Sequence, residues 1–285
     1  MIAEIVRSSR PLNWVNTAYP FAAAWLLSGG GWESALIVGT LFFLVPYNVA
    51  LYGINDVFDH ASDLANPRKG GSEGALLDTS LHRPVLIASA VSVLPFLLVL
   101  IPMGDPVSWA VLGVSMVALL AYSAPPLRTK EIPVLDSLTS SLHFVTPAAY
   151  GAALAGAEIT PLLACALGAF LLWGMASHAF GAVQDIEPDR EAGISSIATA
   201  FGAGPTVRLA LVLWTAAGLL ILGGGWPWLL SALLVIPYLA VGLPYRSLTD
   251  EQADRAHNGW RHFLWINYAV GAALTILLLL GTGLN

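Results

Sequence analysis

Long apolar stretches, separated by mostly short polar connections, dominate the pattern of this chain. We predict a membrane span where about 17–25 residues are mostly apolar, because about 20 helical residues cross a hydrocarbon core of about 30 Å. About nine stretches qualify, and together they predict an all-α protein that crosses a membrane several times. Their approximate limits are 12–28, 34–56, 84–103, 107–124, 134–155, 160–184, 205–224, 227–245 and 261–282.

The composition supports lipid as the main solvent of the chain. Of its 285 residues, 56% are hydrophobic and 11% are charged, against about 25% charged in soluble domains. The single cysteine, Cys165, excludes an intrachain disulfide and any site with several cysteine ligands. A net charge of −6 leaves no basic surface for nucleic acid.

The basic residues test the predicted number of spans. All of them fall at the N-terminus or in alternate connections, where cationic residues mark the cytoplasmic side of a membrane. An odd number of spans then places the N-terminus in the cytoplasm and the C-terminus outside, in the plasma membrane. These residues are Arg7, Arg10, Arg68, Lys69, Arg83, Arg128, Lys130, Arg190, Arg208, Arg246, Arg255 and Arg261.

No soluble domain or long linker interrupts the spans, so we predict one membrane-embedded domain over residues 1–285. The first 30 residues also fit a secretory signal, since arginines precede an apolar stretch and small residues. Eight further spans follow, and an uncleaved first helix explains the same features.

An acidic segment follows the second predicted span. Asp56, Asp59 and Asp63 stand three and four residues apart, so a continuing helix places all three carboxylates on one face. Like charges at this spacing destabilise a helix, and a divalent cation relieves the repulsion. Oxygen ligands of this kind suit Mg²⁺, which usually binds one or two carboxylates together with substrate phosphates. The alternative is a solvated acidic face at the end of a helix.

A second acidic segment favours the metal interpretation. Asp185 and Asp189 are four residues apart at the cytoplasmic end of the sixth predicted span. If the two segments face each other, they hold two or three Mg²⁺ ions around a diphosphate, whose charge the metal neutralises. Basic residues at the same level either clamp phosphate oxygens or only anchor the chain at the membrane surface. This basic set is Arg68, Lys69, Arg83, Arg128, Lys130 and Arg190.

The two segments resemble a known family. The pattern N-D-x-x-D-x-x-x-D at 55–63 and D-x-x-x-D at 185–189 is similar to the two aspartate-rich motifs of the UbiA superfamily of intramembrane prenyltransferases, as are Arg10-Pro11 and the stretch 122–130. The resemblance implies nine helices around a central cavity open to the cytoplasm, and Mg²⁺-dependent transfer of an isoprenyl group from its diphosphate. It implies metal–diphosphate binding by Asn55, Asp56, Asp59, Asp63, Asp185 and Asp189, assisted at the diphosphate by Tyr122, Arg128 and Lys130.

Two side chains lie deeper along the same helices. Tyr52 is one helical turn from Asp56, where its ring either stabilises a prenyl cation or packs between helices. His178 is about 10 Å deeper than Asp185. It lines the cavity as a proton acceptor or makes a helix contact.

The acceptor is inferred from a narrower resemblance. Segment 177–199 is most like the lycopene elongase branch of the superfamily, which implies dimethylallyl diphosphate as donor and lycopene as acceptor. No Lys or Arg lies deep in a predicted span, as expected for a hydrocarbon acceptor that enters from the bilayer. An aromatic acceptor of quinone synthesis, a transporter and a non-catalytic assembly factor are the alternatives.

Overall fold

The computed structural model of the protein describes residues 1–65, 76–226 and 228–282, and the regular elements in these ranges are all helices. The predicted all-α membrane fold is confirmed. The α-helices are α1 (Ile2–Ser8), α2 (Val15–Leu27), α3 (Ser34–Leu44), α4 (Pro46–Phe58), α5 (His60–Ala65), α6 (His82–Met103), α7 (Pro106–Ser123), α8 (Leu135–Leu154), α9 (Pro161–Ala182), α10 (Ile186–Glu191), α11 (Ile197–Phe201), α12 (Ala203–Ile221), α13 (Ile236–Gly242) and α14 (Ala256–Thr282). The 3-10 helices are Pro11–Asn13, Thr79–Leu81, Thr129–Glu131, Val183–Asp185, Leu222–Gly224, Trp228–Val235, Leu243–Tyr245 and Asp250–Arg255.

Each of the nine predicted spans falls on helical structure in the described part of the chain. Seven helical segments of that part are long and apolar enough to cross a membrane. The two remaining spans correspond to α2, which has 13 residues, and to α8. The chain is therefore a multi-pass membrane protein, and the number of nine spans stays a prediction.

The helices group into two compact units. The first unit comprises Met1–Thr129 and Leu142–Glu158, and the second comprises Lys130–Ser141 and Ile159–Asn285. The boundary divides α8, whose beginning belongs to the second unit and whose remainder belongs to the first. The first acidic segment lies in the first unit and the second acidic segment in the second.

Aromatic side chains form much of the core of the first unit. Phe21, Phe43 and Tyr150 are essentially fully buried, and their ring centroids lie 5.4–6.0 Å apart. Close helix packing requires Gly151 here, because a Cβ at this position would collide with the carbonyl oxygen of Phe21. This core fixes α2, α3 and α8 around the helix that carries the first acidic segment.

A break between α3 and α4 divides the second predicted span. Pro46 has no N–H group for the helical hydrogen-bond pattern, and α3 ends two residues before it. The side-chain amide of Asn48 donates to the backbone carbonyls of Phe43 and Leu44 at 2.8 and 3.1 Å. The Thr17 hydroxyl also donates to the Phe43 carbonyl, at 2.6 Å. These buried polar groups satisfy carbonyls at the break, as a membrane interior demands.

The core of the second unit forms where α9 and α12 pack together. Trp214 of α12 is fully buried against Phe180 of α9, and its indole N–H donates to the Ser177 hydroxyl at 3.3 Å. Tyr238 and Phe263 lie within 6.2 Å of the Trp214 ring. This packing fixes the end of α9, where the second acidic segment begins.

Candidate active site

The first acidic segment lies on a nearly continuous helical backbone. Asp59 separates α4 from α5, but its amide donates to the Asn55 carbonyl at 2.9 Å and the Asp63 amide donates to the Asp59 carbonyl at 2.8 Å. Helical bonds thus cross the junction, as the spacing argument required. Asp56, Asp59 and Asp63 are only 1%, 3% and 6% exposed. A solvated acidic face does not describe these carboxylates.

Asp59 is held by one amide and approached by one guanidinium. The Asn55 side-chain amide donates to Asp59 Oδ2 at 2.6 Å and to the Ser123 hydroxyl at 2.9 Å. Arg128 Nη2 lies 3.7 Å from Asp59 Oδ1, and Arg128 Nη1 donates to the Phe58 carbonyl at 3.0 Å. Arg128 has a φ of 37°, in the left-handed region that only glycine adopts readily. Its position beside Asp59 is therefore enforced by the surrounding contacts.

Asp56 has partners that the sequence analysis did not identify. The Ser8 hydroxyl donates to Asp56 Oδ2 at 2.6 Å, and Arg10 Nη2 donates to Asp56 Oδ1 at 3.0 Å. Arg10 Cζ lies 4.4 Å from the centroid of the Tyr52 ring, so the guanidinium covers one face of that ring. The sequence signal for Arg10 was its place beside Pro11 in the family pattern, whereas nothing in the sequence marked Ser8.

Tyr122 belongs to a polar cluster within the first unit. Its ring meets the His143 ring edge-on, with centroids 5.2 Å apart. His143 Nδ1 lies 3.2 Å from the Tyr47 hydroxyl, which also accepts a hydrogen bond from Ser115 at 3.4 Å. Tyr122 is half-buried at the edge of this cluster, whereas Tyr47 and His143 are enclosed.

The second acidic segment lies on short helices after α9. Asp185 ends the 3-10 helix Val183–Asp185, Asp189 is in α10, and both are partly exposed. Between α9 and these carboxylates, Gln184 is buried and its Oε1 lies 2.7 Å from Nδ1 of His257. This contact ties the start of the segment to α14.

Arg190 is engaged in contacts within its own unit. Its Nη2 lies 2.7 Å from Asp250 Oδ2 and 3.1 Å from the Thr199 carbonyl. Asp250 Oδ1 also accepts a hydrogen bond from the Ala203 amide at the start of α12. These contacts favour a structural role for Arg190 over the predicted diphosphate contact.

His178 lies beside a buried carboxylate that the sequence analysis missed. Its Nε2 is 3.7 Å from Asp136 Oδ2, and the Asp136 side chain is fully buried. Asp136 also accepts hydrogen bonds from the backbone amides of Ser137 and Ile197, each at 2.6 Å. The His178 side chain remains 21% exposed, so this contact does not bury it completely.

The other predicted diphosphate contacts are Lys130, Arg68 and Lys69. Lys130 is half-buried in the 3-10 helix Thr129–Glu131, and Arg68 and Lys69 lie outside the described residues. Within the described ranges, no three His, Cys, Asp or Glu side chains are grouped so as to hold a metal ion. The predicted convergence of the two acidic segments stays a prediction, since they belong to separate units.

The fold and these acidic segments define a helical, multi-pass membrane protein with carboxylates at helix ends. The model of the UbiA prenyltransferase family matches residues 17–281. The chain belongs to this family, which confirms the resemblance noted in the sequence, and it is a membrane prenyltransferase.

Relatives of known name refine this placement. The chain is 48% identical over 278 residues to a lycopene elongase/hydratase of Corynebacterium glutamicum, covering 98% of this chain and 97% of the relative. It is 50% identical over 280 residues to the C(50) beta-cyclic carotenoids biosynthesis protein LbtBC of Dietzia sp. strain CQ4, and spans 65% of that protein. A UbiA homologue of Archaeoglobus fulgidus, solved bound to DMAPP and Mg²⁺, has a similar fold, with a TM-score of 0.62 and 19% identity over 94% of this chain and 98% of that one.

Proposed function

We propose that this protein transfers dimethylallyl groups from dimethylallyl diphosphate to lycopene inside the membrane, in a Mg²⁺-dependent step of fifty-carbon carotenoid synthesis. The observation that carries the proposal is the 48% identity with the Corynebacterium lycopene elongase/hydratase over nearly the full length of both chains. The name of the Dietzia relative supports the same pathway.

The residues of the first acidic segment fit Mg²⁺. Asn55, Asp59 and Asp63 supply oxygen donors one helical turn apart, and both carboxylates are almost completely shielded from solvent. Hard oxygen ligands are what Mg²⁺ prefers, with substrate phosphates completing its shell. We propose that these residues, together with Asp185 and Asp189, hold the metal with the diphosphate. When bound, Mg²⁺ neutralises charge on the departing diphosphate.

Cationic side chains complete the proposed diphosphate site. Arg128 presents a guanidinium at Asp59, and a guanidinium forms paired hydrogen bonds with phosphate oxygens. We propose that Arg128, Lys130 and Tyr122 orient the diphosphate so that its bond to the dimethylallyl carbon faces the acceptor. Correct orientation lowers the barrier because less freedom is lost at the transition state. Arg68 and Lys69 are further candidates for this role.

The chemistry requires an apolar acceptor and a final proton acceptor. The C–O bond of the donor breaks, and its electron pair leaves with the diphosphate. A terminal double bond of lycopene then supplies the electron pair of the new C–C bond, which leaves a cation on the carotenoid. That cation loses a proton to a base, or it is captured by water, which then loses the proton. We propose His178 as the proton acceptor, because Asp136 stabilises the imidazolium that forms.

We further propose that residues 1–285 act as one catalytic domain in the plasma membrane, with the N-terminus in the cytoplasm. The charge pattern supports this orientation, since all basic residues fall at the N-terminus or in alternate connections. A hydrocarbon acceptor enters such a site from the bilayer without a charged recognition group.

The test is transfer by purified protein in liposomes loaded with lycopene. Labelled dimethylallyl diphosphate is added with Mg²⁺ or with a chelator, and the extracted carotenoids are identified by mass. We expect products heavier than lycopene by one or two dimethylallyl units, formed only with Mg²⁺. The variant Asp59→Asn serves as the inactive control. Transfer to 4-hydroxybenzoate with none to lycopene would identify an aromatic acceptor, and ion flux without product would contradict enzymatic function.

A further inference from the structure

The second acidic segment begins with a tight turn that places its side chains on three edges. Val183–Asp185 form a 3-10 helix, and the Ile186 amide donates to the Val183 carbonyl one turn earlier. Side chains three positions apart in a 3-10 helix lie on the same edge, because each turn contains three residues. Val183 and Ile186 therefore share one edge, and Gln184 and Asp185 occupy the other two.

The Asp185 edge of this turn is the one that is open to solvent. Val183 and Ile186 are essentially fully buried in the hydrophobic core of the second unit, and Gln184 is buried as well. Asp185 is partly exposed. The rotation of the turn about its own axis therefore determines where the Asp185 carboxylate points, and a contact that fixes Gln184 also fixes that rotation.

A histidine from another helix holds the Gln184 edge. Nδ1 of His257, the second residue of α14, lies 2.7 Å from Gln184 Oε1. An amide oxygen only accepts hydrogen bonds, so the proton lies on Nδ1 and His257 is the donor. This bond links the turn to an element 73 positions away along the chain.

Two glycines allow the end of α9 and the start of α14 to approach closely near this bond. A Cβ at Gly181 would lie 2.8 Å from the Trp260 ring, and a Cβ at Gly259 would lie 2.8 Å from the Phe180 ring. Such distances are too short for van der Waals contact, so a larger residue at either position would push the helices or the rings apart. The two helices are therefore packed at the separation that the hydrogen bond requires.

The connection before α14 also contacts the far end of the segment. Arg190 Nη2 lies 2.7 Å from Asp250 Oδ2, but this ion pair is partly exposed and therefore screened by water. Arg190 is in α10, beyond the 3-10 turn. The hydrogen bond from His257 acts on the turn itself, so of these two contacts it is the one that controls the direction of Asp185.

We propose that His257 is a positioning residue for the metal site: by donating to Gln184 it sets the rotation of the 3-10 turn, and the turn directs the Asp185 carboxylate toward the metal and the diphosphate. This inference rests on the proposed function, which makes Asp185 a metal ligand. It adds two side chains outside the aspartate motifs, Gln184 and His257, to the groups on which metal binding depends. Loss of the His257 donor should therefore weaken metal binding without removing any metal ligand.

The experiment measures metal binding directly, with Mn²⁺ as the probe and inorganic pyrophosphate present. Electron paramagnetic resonance gives the free Mn²⁺ in titrations of detergent-purified full-length protein. Asp185→Asn sets the scale and should weaken Mn²⁺ binding by about tenfold or more. His257→Leu removes the donor and should weaken binding by about threefold to tenfold, the loss expected for one hydrogen bond. His257→Asn keeps an N–H donor near the position of Nδ1, so its affinity should stay within about twofold of wild type.

The same variants are assayed for prenyl transfer as Mg²⁺ is increased. His257→Leu should raise the Mg²⁺ concentration for half-maximal rate by about threefold to tenfold, with kcat at saturating Mg²⁺ within about twofold of wild type. Damage to the fold would instead lower kcat at every Mg²⁺ concentration. His262→Leu is the matched control, because it removes an exposed histidine of the same helix whose Nδ1 lies 2.7 Å from the Asn258 carbonyl, and it should behave as wild type.

Wild-type Mn²⁺ affinity in His257→Leu would overturn the inference. A loss in His257→Asn as large as that in His257→Leu would also overturn it, because the donor would then be irrelevant. If His257→Leu does not fold, Gln184→Asn gives the same test, since it shortens the amide side chain by one methylene and should weaken Mn²⁺ binding by a similar factor. Wild-type affinity in Gln184→Asn would contradict the inference. Failure of the wild type to prenylate lycopene, with this binding pattern intact, would instead refute the proposed function alone.

Discussion

The two acidic segments differ in how far their carboxylates are shielded from water. In the first, three almost fully buried carboxylates lie beside two arginines, Arg10 and Arg128, that both adopt left-handed backbone conformations. In the second, Asp185 and Asp189 are partly exposed on short helices, and nearby Arg190 forms an ion pair with Asp250. Water therefore reaches the second pair of carboxylates, whereas the first three are almost completely shielded from it.

Because of this difference, we expect the part of the proposed metal site on the first segment to be rigid and the part on the second segment to be more adaptable. Buried, paired charges have a fixed geometry because moving either partner exposes an uncompensated charge. Carboxylates that are partly exposed to water on short helices have a smaller penalty for small movements. We therefore expect the first segment to define the position of the metal and the second segment to respond to it.

The largest expected effect comes from removing one carboxylate on either side. Asp59→Asn and Asp189→Asn should each lower the transfer rate by roughly 100-fold or more, because electrostatic stabilisation of the leaving group is lost. The rate is measured in liposomes at saturating donor and increasing Mg²⁺. Excess Mg²⁺ should recover part of the activity of Asp189→Asn and less of that of Asp59→Asn.

The exposed carboxylate of Asp254 provides the matched control, and Asp254→Asn should keep wild-type activity. Folding of each variant is checked by its thermal unfolding in detergent. Full activity in Asp59→Asn or in Asp189→Asn would contradict the proposal that both segments bind the metal, because the segment concerned would then have no part in catalysis.

A smaller effect distinguishes the arginines of the two segments. Arg128→Gln should lower kcat/KM for the donor by about 10-fold to 100-fold, since a hydrogen bond to a charged group contributes about 1.5–3 kcal/mol. Arg190→Gln should change it by less than about threefold, because this arginine is half-exposed and already paired with Asp250. The measurement is initial rate against dimethylallyl diphosphate concentration. Equal losses in both variants would restore Arg190 to the diphosphate site.

The sequence predicts local features of this molecule well and long-range contacts poorly. Each predicted span falls on helical structure because about 20 apolar residues have few alternatives in lipid. The carboxylate spacing is also local, and the helical bonds through Asp59 realise it. The pairing of Asp56 with Arg10 and of His178 with Asp136 joins residues 46 and 42 positions apart, and no pattern in one sequence encodes such partners. The break at Pro46 was missed because the apolar stretch continues across it.

The fate of the last cation depends, in our proposal, on residues of the unit that contains the second segment. His178→Ala should slow product formation by about tenfold or less and shift the ratio of hydrated to unhydrated carotenoid, with donor KM unchanged. Asp136→Asn should shift the same ratio in the same direction, because it removes the charge that stabilises the imidazolium. The ratio is read by mass after extraction.

Ser137 provides a control at the adjacent position. Its buried hydroxyl makes no hydrogen bond within the described part of the protein, so Ser137→Ala should leave the product ratio unchanged. A shift in this control equal to that in Asp136→Asn would indicate a packing effect. An unchanged ratio in His178→Ala would return His178 to a helix contact.

The smallest expected effect tests the structural role of Arg190. Asp250 Oδ1 accepts the Ala203 amide at 2.7 Å at the start of α12, and its Oδ2 meets Arg190. Asp250→Ala should therefore lower the free energy of unfolding by about 1 kcal/mol through loss of this capping bond. Arg190→Gln should cost less than about 0.5 kcal/mol, since a half-exposed ion pair is screened. Thermal unfolding in detergent at low and high salt measures both: the effect of Arg190→Gln should fade with salt, whereas the part of the Asp250→Ala effect that comes from the capping bond should persist. A salt-sensitive loss in Arg190→Gln larger than that of Asp250→Ala would mean that the second segment, like the first, depends on a strong ion pair.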